Sequence, residues 1–259
     1  MRTLRLLTSA ALLCAPAFAA PADTMMVRKV HTEAGKMGQH ETPAKDETQT
    51  VWIAKDRVRV ESDDKIILLR LDQKKLYMMD PKEKTYSPID LPFDMKKYLP
   101  AEMAEMYDKM NSANTMSCKV TPTDETKKIK DWNTKKYELK VTGSMTGGMT
   151  EEVWVTKDIS VDTAAFLELL RTTLTMRPGG ESMVDELKKI DGVPVMSDRT
   201  LKSPMGTVKT HEELVSIEQK DAPAGAFELP KDYKETPFNP MMMGGRRPPE
   251  SKGPPPQKQ

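Results

Sequence analysis

Two histidines and a methionine near the start of the chain carry the side chains best suited to binding a metal ion. His31 and His40 flank Met37, and imidazole and thioether groups together suit Cu(I). The surrounding residues 32–49 are polar and interrupted by glycine and proline, which is typical of an exposed linker. We therefore predict no metal site here and no cofactor.

The motifs of known catalytic chemistry are absent from the sequence or incomplete. His211-Glu212 begins like a zinc-protease motif, but Val215 stands where the second histidine is required. The glycine-rich stretch 143–148 lacks the Lys-Ser/Thr ending of a phosphate-binding loop and is predicted to be a hairpin turn. Carboxylate pairs such as Asp63-Asp64 and Glu151-Glu152 fall at predicted turns and strand ends, where solvation explains them. We predict no catalytic residues and no enzymatic activity.

Methionine is abundant, with 20 among 259 residues. It repacks around differently shaped guests and is therefore common on surfaces that bind apolar ligands, although an ordinary hydrophobic core is the competing interpretation. Apolar residues recur at helical spacing over 94–110 and, after an N-cap at Asp162, over 162–176. The candidate ligand-binding residues lie on these two stripes: Met95, Leu99, Met103, Met106, Met110, Phe166, Leu170 and Leu174.

Short strands separated by turns dominate the rest of the chain. Residues alternate at 57–61, apolar runs follow at 66–71 and 76–79, and Thr85-Tyr86-Ser87 comes next. These segments recur about every ten residues, which predicts an antiparallel meander. Further strands are predicted at 137–141, 152–156, 193–201 and 207–218. A third helical stripe is predicted to end at Gly192 and consists of Met183, Val184, Leu187 and Ile190.

Many strands and few helices indicate a mainly β protein of the α+β class. The alternation along the strands predicts a sheet with one wet face and one apolar face. Such a sheet must cover its apolar face, either by closing into a barrel or by carrying amphipathic helices across it.

The first 19 residues are predicted to be a cleavable signal peptide. Arg2 and Arg5 precede a short apolar run, and Ala17-Phe18-Ala19 supplies the small residues that signal peptidase requires, so we predict cleavage after Ala19. Leu13 stands before Cys14 where lipoprotein processing needs a small residue. The apolar run is about half the length of a membrane-spanning helix. We expect an exported soluble protein in the periplasm without a transmembrane segment, with secretion as the alternative.

The charge, the cysteine content and the C-terminal composition indicate which partners and which structural features to expect. Export would remove Arg2 and Arg5 from the 40 basic residues, which then nearly balance the 39 acidic ones, so we predict no nucleic-acid binding. The single remaining cysteine, Cys118, is predicted to be a small buried residue. Residues 239–259 are rich in proline, glycine, methionine and basic residues, which predicts a disordered tail that is able to contact envelope proteins.

Several strand and turn sequences resemble a known family. They are 52–60 (Trp-Ile-Ala-Lys-Asp-Arg-Val-Arg-Val), the hairpin 76–86, the turn and strand 131–137, the strand 152–158 and the closing 227–233 (Phe-Glu-Leu-Pro-Lys-Asp-Tyr). Together they resemble an uncharacterised family of exported bacterial proteins, a domain of unknown function. That family is itself similar to the LolA-like lipoprotein carriers.

The resemblance implies a LolA-like half-barrel over residues 20–238. This is a curved, unclosed antiparallel sheet with two or three helices in its concave face. In lipoprotein carriers that cavity holds acyl chains, and here residues 94–110 and 162–176 would supply the covering helices. We therefore expect a non-catalytic module that binds an acyl chain or lipoprotein anchor. The alternative is an envelope protein-interaction module whose cavity is filled by its own side chains.

Overall fold

A computed structural model describes residues 23–38, 40–113, 116–143, 147–161, 164–176 and 180–240. The predicted signal peptide, the N-cap at Asp162 and almost all of the predicted tail lie outside these residues. The described chain is mostly strand and contains three α-helices. The expectation of a mainly β protein with a large, unclosed antiparallel sheet is confirmed.

Twelve strands form one sheet and two short strands form a separate hairpin. The strands are β1 (Thr24–Thr32), β2 (Gly35–Met37), β3 (His40–Thr42), β4 (Lys45–Ile53), β5 (Arg57–Glu61), β6 (Ile66–Arg70), β7 (Lys75–Asp80), β8 (Thr85–Asp90), β9 (Met116–Ile129), β10 (Trp132–Gly143), β11 (Gly147–Thr156), β12 (Val193–Ser203), β13 (Gly206–Gln219) and β14 (Lys234–Glu235). Their order in the sheet is β14-β8-β7-β6-β5-β4-β1-β13-β12-β11-β10-β9, while β2 pairs with β3. Neighbouring strands are antiparallel except β14 and β8.

The helices interrupt the sheet at two places in the chain. After β8 come a 3-10 helix at Met95–Tyr98 and helix α1 at Ala101–Ala113; between β11 and β12 come α2 at Ala164–Thr175 and α3 at Glu181–Leu187. A further 3-10 turn, Leu71–Gln73, joins β6 to β7.

The single helix predicted over 94–110 is wrong. Leu99 is extended, with φ −108° and ψ 145°, because a residue that precedes a proline is disfavoured in the helical region. Pro100 therefore separates the 3-10 helix from α1 and precedes the first residue of α1, where its missing N–H costs nothing.

The linker predicted over residues 32–49 is also wrong, because β2, β3 and most of β4 lie there. The first half of β4 is polar on both of its faces, so its sequence lacks the alternation that signals a strand. Pairing along the whole length of β1 holds β4 in the sheet, and this long-range pairing overrides a weak local preference.

Two clusters of buried side chains lie on opposite faces of β4–β8. The central cluster contains Val51, Leu69 and Leu76, and the second cluster contains their chain neighbours Trp52, Leu68 and Tyr77. Successive side chains of a strand point to opposite faces, so this half of the sheet is buried on both sides. Helix α2 contributes to the central cluster, and Phe227 from the segment after β13 contributes to the second.

A third cluster lies at the other end of the sheet, where α3 packs against β9–β11. Leu187 and Ile190, two members of the predicted stripe, pack against the buried cluster that contains Val120, Tyr137 and Leu139. The predicted C-cap is wrong, since α3 ends at Leu187 with Lys188 as its C-cap. Gly192 instead lies directly before β12.

Asp64, in the turn between β5 and β6, joins the first residue of β4 to the turn between β7 and β8. Its carboxylate accepts hydrogen bonds from Lys82 and, at 3.0 Å, from Lys45, and these contacts lower the pKa of Asp64 to about 2. A carboxylate whose pKa is depressed in the folded state contributes stability above its unfolded pKa and loses it as the pH falls through the folded value.

We therefore expect Asp64→Asn to lower the melting temperature slightly at neutral pH, since exposed ion pairs contribute little. The difference from the wild type should vanish as the pH falls from about 4 to about 2. Asp63→Asn, which alters the neighbouring exposed carboxylate, is the matched control for thermal unfolding across this range. A difference in melting temperature between Asp64→Asn and the wild type that persists at pH 2 would contradict the stabilising role assigned to the Asp64 ion pairs.

Candidate functional site

Helix α2 covers the central cluster with a face that differs from the predicted one. Its buried residues are Ala165, Leu169 and Thr172; together with the buried Met176, which directly follows the helix, we call them the α2 face. The predicted residues Phe166, Leu170 and Leu174 are only half-buried, so the stripe is displaced by about one residue. A helical stripe that includes a threonine was missed because Thr172 does not count as apolar in the sequence pattern.

The methionine-rich stripe does not form a single face over the sheet. Met95, Leu99 and Met103 are half-buried and Met106 is 57% exposed; the side chain of Met110 lies outside the described residues. Helix α1 packs chiefly against the preceding 3-10 helix, and none of its described side chains belongs to the central cluster. The structure therefore brings α2 onto the sheet but leaves α1 beside it.

Three aromatic rings connect the segment before α1 to the end of the described chain. Phe93 and Tyr98 stack with ring centroids 5.9 Å apart, and Phe238 meets Tyr98 edge-to-face at 5.0 Å. The Tyr98 hydroxyl accepts a hydrogen bond from the Asp90 N–H at 2.7 Å. These rings pack at the margin of the central cluster, and sequence periodicity gave no sign of this contact.

Two ion pairs, which we call the charge ladder, lie beyond the central cluster on the same face of the sheet. Arg28 on β1 contacts Glu212 on β13 at 2.8 Å, and Arg199 on β12 contacts Glu151 on β11 at 2.8 Å. The strand registers place all four side chains on the face that carries Met26 and Val51. Burial alone would lower the pKa of Arg199, but hydrogen bonding to Glu151 and the nearby Glu212 carboxylate outweigh it and raise that pKa.

Three polar atoms on this face are buried without a hydrogen-bond partner among the described residues. They are the Nε atoms of Arg28 and Arg199 and the Oγ1 of Thr172 on the α2 face. Phe166 of α2 covers the Arg28 guanidinium, which lies 5.3 Å from the ring centroid. An unpaired buried donor or acceptor costs about 1–3 kcal/mol, so the contact between α2 and the sheet is less favourable than its apolar area suggests.

The two cavities described on this structure lie away from α2. One, of about 450 Å³, is formed by Trp52 and Arg59 with residues 223–231. The other, of about 600 Å³, lies at the ends of β9–β11 and includes Lys127, Lys128 and Lys135. The space between α2 and the sheet is occupied by the side chains of the central cluster. An apolar ligand would therefore have to displace α2 to reach this face.

On the sheet, two histidines occupy adjacent positions that the sequence did not bring together. His31 on β1 lies directly opposite His211 on β13. Nδ1 of His31 is 2.7 Å from Oδ1 of Asp46 on β4, and Nδ1 of His211 is 2.7 Å from Oδ1 of Asp198 on β12. The pairing was missed because no strand was predicted over residues 24–32, where β1 lies. Within the described ranges, no group of three or more His, Cys, Asp or Glu side chains is arranged to hold a metal ion.

Cys118 is a half-buried thiol at the margin of the third cluster. Burial raises the pKa of this thiol, and the charge of Glu186 adds to the effect. Thiolate is the reactive form of cysteine, so a raised pKa disfavours reactivity at Cys118. The sequence predicts a buried residue here, and the structure leaves it half-buried.

A known protein family accounts for most of the chain. The family described as "Domain of unknown function (DUF4412)" matches residues 34–233. The chain belongs to this family. The matched DUF4412 region includes all three helices and every strand of the large sheet except β1 and β14. A comparison with curated proteins finds no match.

Among the helices that the structure describes, none has both the length and the apolar character needed to span a membrane.

Proposed function

We propose that this protein is a non-catalytic, exported binding module that takes up an apolar chain, such as the acyl chain of a lipid or lipoprotein, between its open sheet and helix α2. The protein would bury the apolar chain without carrying out a chemical reaction on it. The predicted signal peptide supports a periplasmic location, and the resemblance to LolA-like carriers supports both the half-barrel architecture and the class of ligand.

The observation that carries the proposal is the imperfect contact between α2 and the sheet. The α2 face packs on the central cluster, yet it buries the unpaired Thr172 hydroxyl and covers Arg28, whose Nε is also unpaired. Opening α2 would hydrate these groups and so recover part of the cost of exposing Leu169 and Met176. A cover of this kind suits a ligand that enters and leaves.

The closed, empty protein and the open protein with a bound acyl chain are expected to be close in free energy. An acyl chain gains about 0.8 kcal/mol for each CH₂ group that it buries, and it would replace apolar contacts that α2 makes when closed. A ligand shifts such an equilibrium only by the difference in its affinity for the open and closed states. Binding would therefore be reversible, as a carrier requires.

The direct test is to extract the purified mature protein with organic solvent and to identify bound lipid by mass spectrometry. A fluorescent fatty acid added to the delipidated protein gives an independent measurement of binding. We expect co-purifying acyl chains and saturable probe binding. The absence of both would contradict the proposal.

Thr172→Val is expected to favour the closed state. The substitution keeps the shape of the side chain but removes the unpaired hydroxyl, and we expect it to raise the free energy of unfolding by about 1 kcal/mol. Because the closed state competes with the ligand, the same variant should bind the fatty-acid probe more weakly. Chemical denaturation and a probe titration measure the two effects.

Thr173→Val is the matched control on the next position of the same helix. The Thr173 hydroxyl donates to the carbonyls of Leu169 and Leu170, so its removal should not stabilise the protein and should leave probe binding nearly unchanged. If both valine variants stabilise equally, or if Thr172→Val strengthens probe binding, the role assigned to α2 is wrong.

A second candidate function is an envelope protein-interaction module. It is favoured by the filled space beneath α2, since the central cluster occupies the face where a ligand would lie. In that case the delipidated protein would not bind the fatty-acid probe. Deleting residues 240–259, which make up nearly all of the predicted tail, would instead abolish co-precipitation of envelope partners.

A further inference from the structure

Four side chains form a lateral row across four adjacent strands of the sheet. In order they are Asp46 on β4, His31 on β1, His211 on β13 and Asp198 on β12, each directly opposite the next. Residues opposite each other in antiparallel strands point to the same face, with Cβ atoms about 4.5–5.5 Å apart. The chain has only three histidines, and two of them are cross-strand neighbours in the middle of this row.

The carboxylates fix how the two imidazole rings are turned. Each histidine uses Nδ1, at 2.7 Å, to contact the aspartate on its outer side, so the opposite edge of each ring faces the other histidine. That edge carries Nε2. A carboxylate that accepts the Nδ1 proton leaves Nε2 with its lone pair free, which is the arrangement found in metal-binding histidines.

We propose that His31 and His211 form a two-histidine binding site for a divalent first-row transition metal. The metal would bind both Nε2 atoms, and water or an external ligand would complete its coordination. Imidazole suits Zn²⁺, Cu²⁺ and Ni²⁺ better than Mg²⁺ or Ca²⁺, and Zn–N distances of about 2.0–2.1 Å are within reach of rings on facing strand positions. Asp46 and Asp198 act as positioning residues.

Solvent can reach the site. The side chains of His31 and His211 are 44% and 42% exposed, so a hydrated ion needs no opening of the fold to enter. The row is separate from the α2 face, since it lies on the opposite face of β1 and β13 from Arg28 and Glu212. The metal site therefore does not depend on the proposed binding of an apolar chain.

The test is a calorimetric titration of the metal-free mature protein with Zn²⁺ alone. We expect saturable binding of one ion per chain below millimolar concentration. His31→Gln and His211→Gln should each weaken it by more than the roughly tenfold loss that is usual when only a residue orienting a metal-binding histidine is changed. The double variant should bind Zn²⁺ only slightly more weakly than either single variant, because both histidines bind the same ion. Asp46→Asn and Asp198→Asn should weaken it less, while circular dichroism stays unchanged in all of these exposed variants.

His40→Gln is the control, because it removes the third histidine without touching the row. Several results would overturn the proposal: no saturable binding by the wild type, a loss in His40→Gln equal to that in His31→Gln, or independent, additive losses in the two histidine variants. Unchanged affinity in both aspartate variants would overturn the positioning role of Asp46 and Asp198.

Discussion

Leu69→Ala in β6 is expected to lower the free energy of unfolding by about 2–5 kcal/mol, the usual range for a fully buried leucine. For a protein of this size that corresponds to a fall in Tm of about 4–20 °C. Leu69 is 0% exposed and lies in the central cluster, where two neighbouring strands prevent the backbone from collapsing into the cavity. Thermal and urea unfolding measure the loss.

Leu169→Ala is the matched variant in α2, since Leu169 is 5% exposed and belongs to the same cluster. When α2 opens before global unfolding, a substitution on it costs no more global stability than the free energy that holds α2 closed. We therefore expect a smaller fall in Tm than for Leu69→Ala. Amide exchange within α2 should accelerate by about tenfold or more, while exchange in β4–β7 stays unchanged.

Equal losses of Tm in the two leucine variants, without faster exchange in α2, would show that α2 unfolds only with the sheet. That result would remove the physical basis for α2 as a cover. It would leave the description of the central cluster intact, because both leucines are buried there in either case.

Gly147→Ala is expected to destabilise the sheet by about 2–5 kcal/mol through two effects. The φ of Gly147 is +80°, a conformation that costs an L-residue about 1–2 kcal/mol. An added Cβ would also lie 2.0 Å from the Lys202 carbonyl oxygen on β12, and relieving a backbone clash costs about 1–3 kcal/mol more. Because β11 lies between β10 and β12, it cannot move away freely.

Gly225→Ala separates the two effects. Gly225 has the same φ of +80°, but an added Cβ would meet nothing within 4 Å, so this variant should lose only about 1–2 kcal/mol. Urea denaturation of the two variants side by side measures the difference. Equal losses would contradict the close approach of β11 and β12 at this position.

The sequence predicted the parts of the fold whose signals are local. The strands from β5 to β8 begin within one residue of their predicted positions, because β5 alternates, β6 and β7 are short apolar runs, and turn residues separate them. The first half of β4 carries no such signal and was predicted to be a linker, because only its pairing with β1 makes it a strand. The proline at position 100 divided a helix that periodicity alone had joined.

The candidate sites depended even more on long-range geometry. Apolar residues at helical spacing predicted α2 but misplaced its buried face by one residue. The face was missed because it includes Thr172, a polar residue that packs against the sheet. The pairing of His31 with His211 joins residues far apart in the chain, and it becomes visible only when the register of β1 and β13 is known. The charge ladder of Arg28 and Arg199 was missed for the same reason.

Hydrogen exchange of helix α2, measured by mass spectrometry with and without a fatty acid, tests the central claim most directly. The proposal predicts that residues 164–176 exchange through an opening several kcal/mol below global unfolding, that fatty acid changes this exchange, and that β4–β7 keep theirs. Thr172→Val should slow the opening and Thr173→Val should not. If α2 exchanges only together with the sheet and fatty acid leaves its exchange unchanged, α2 is a fixed part of the core and the proposed uptake of an apolar chain beneath it is wrong.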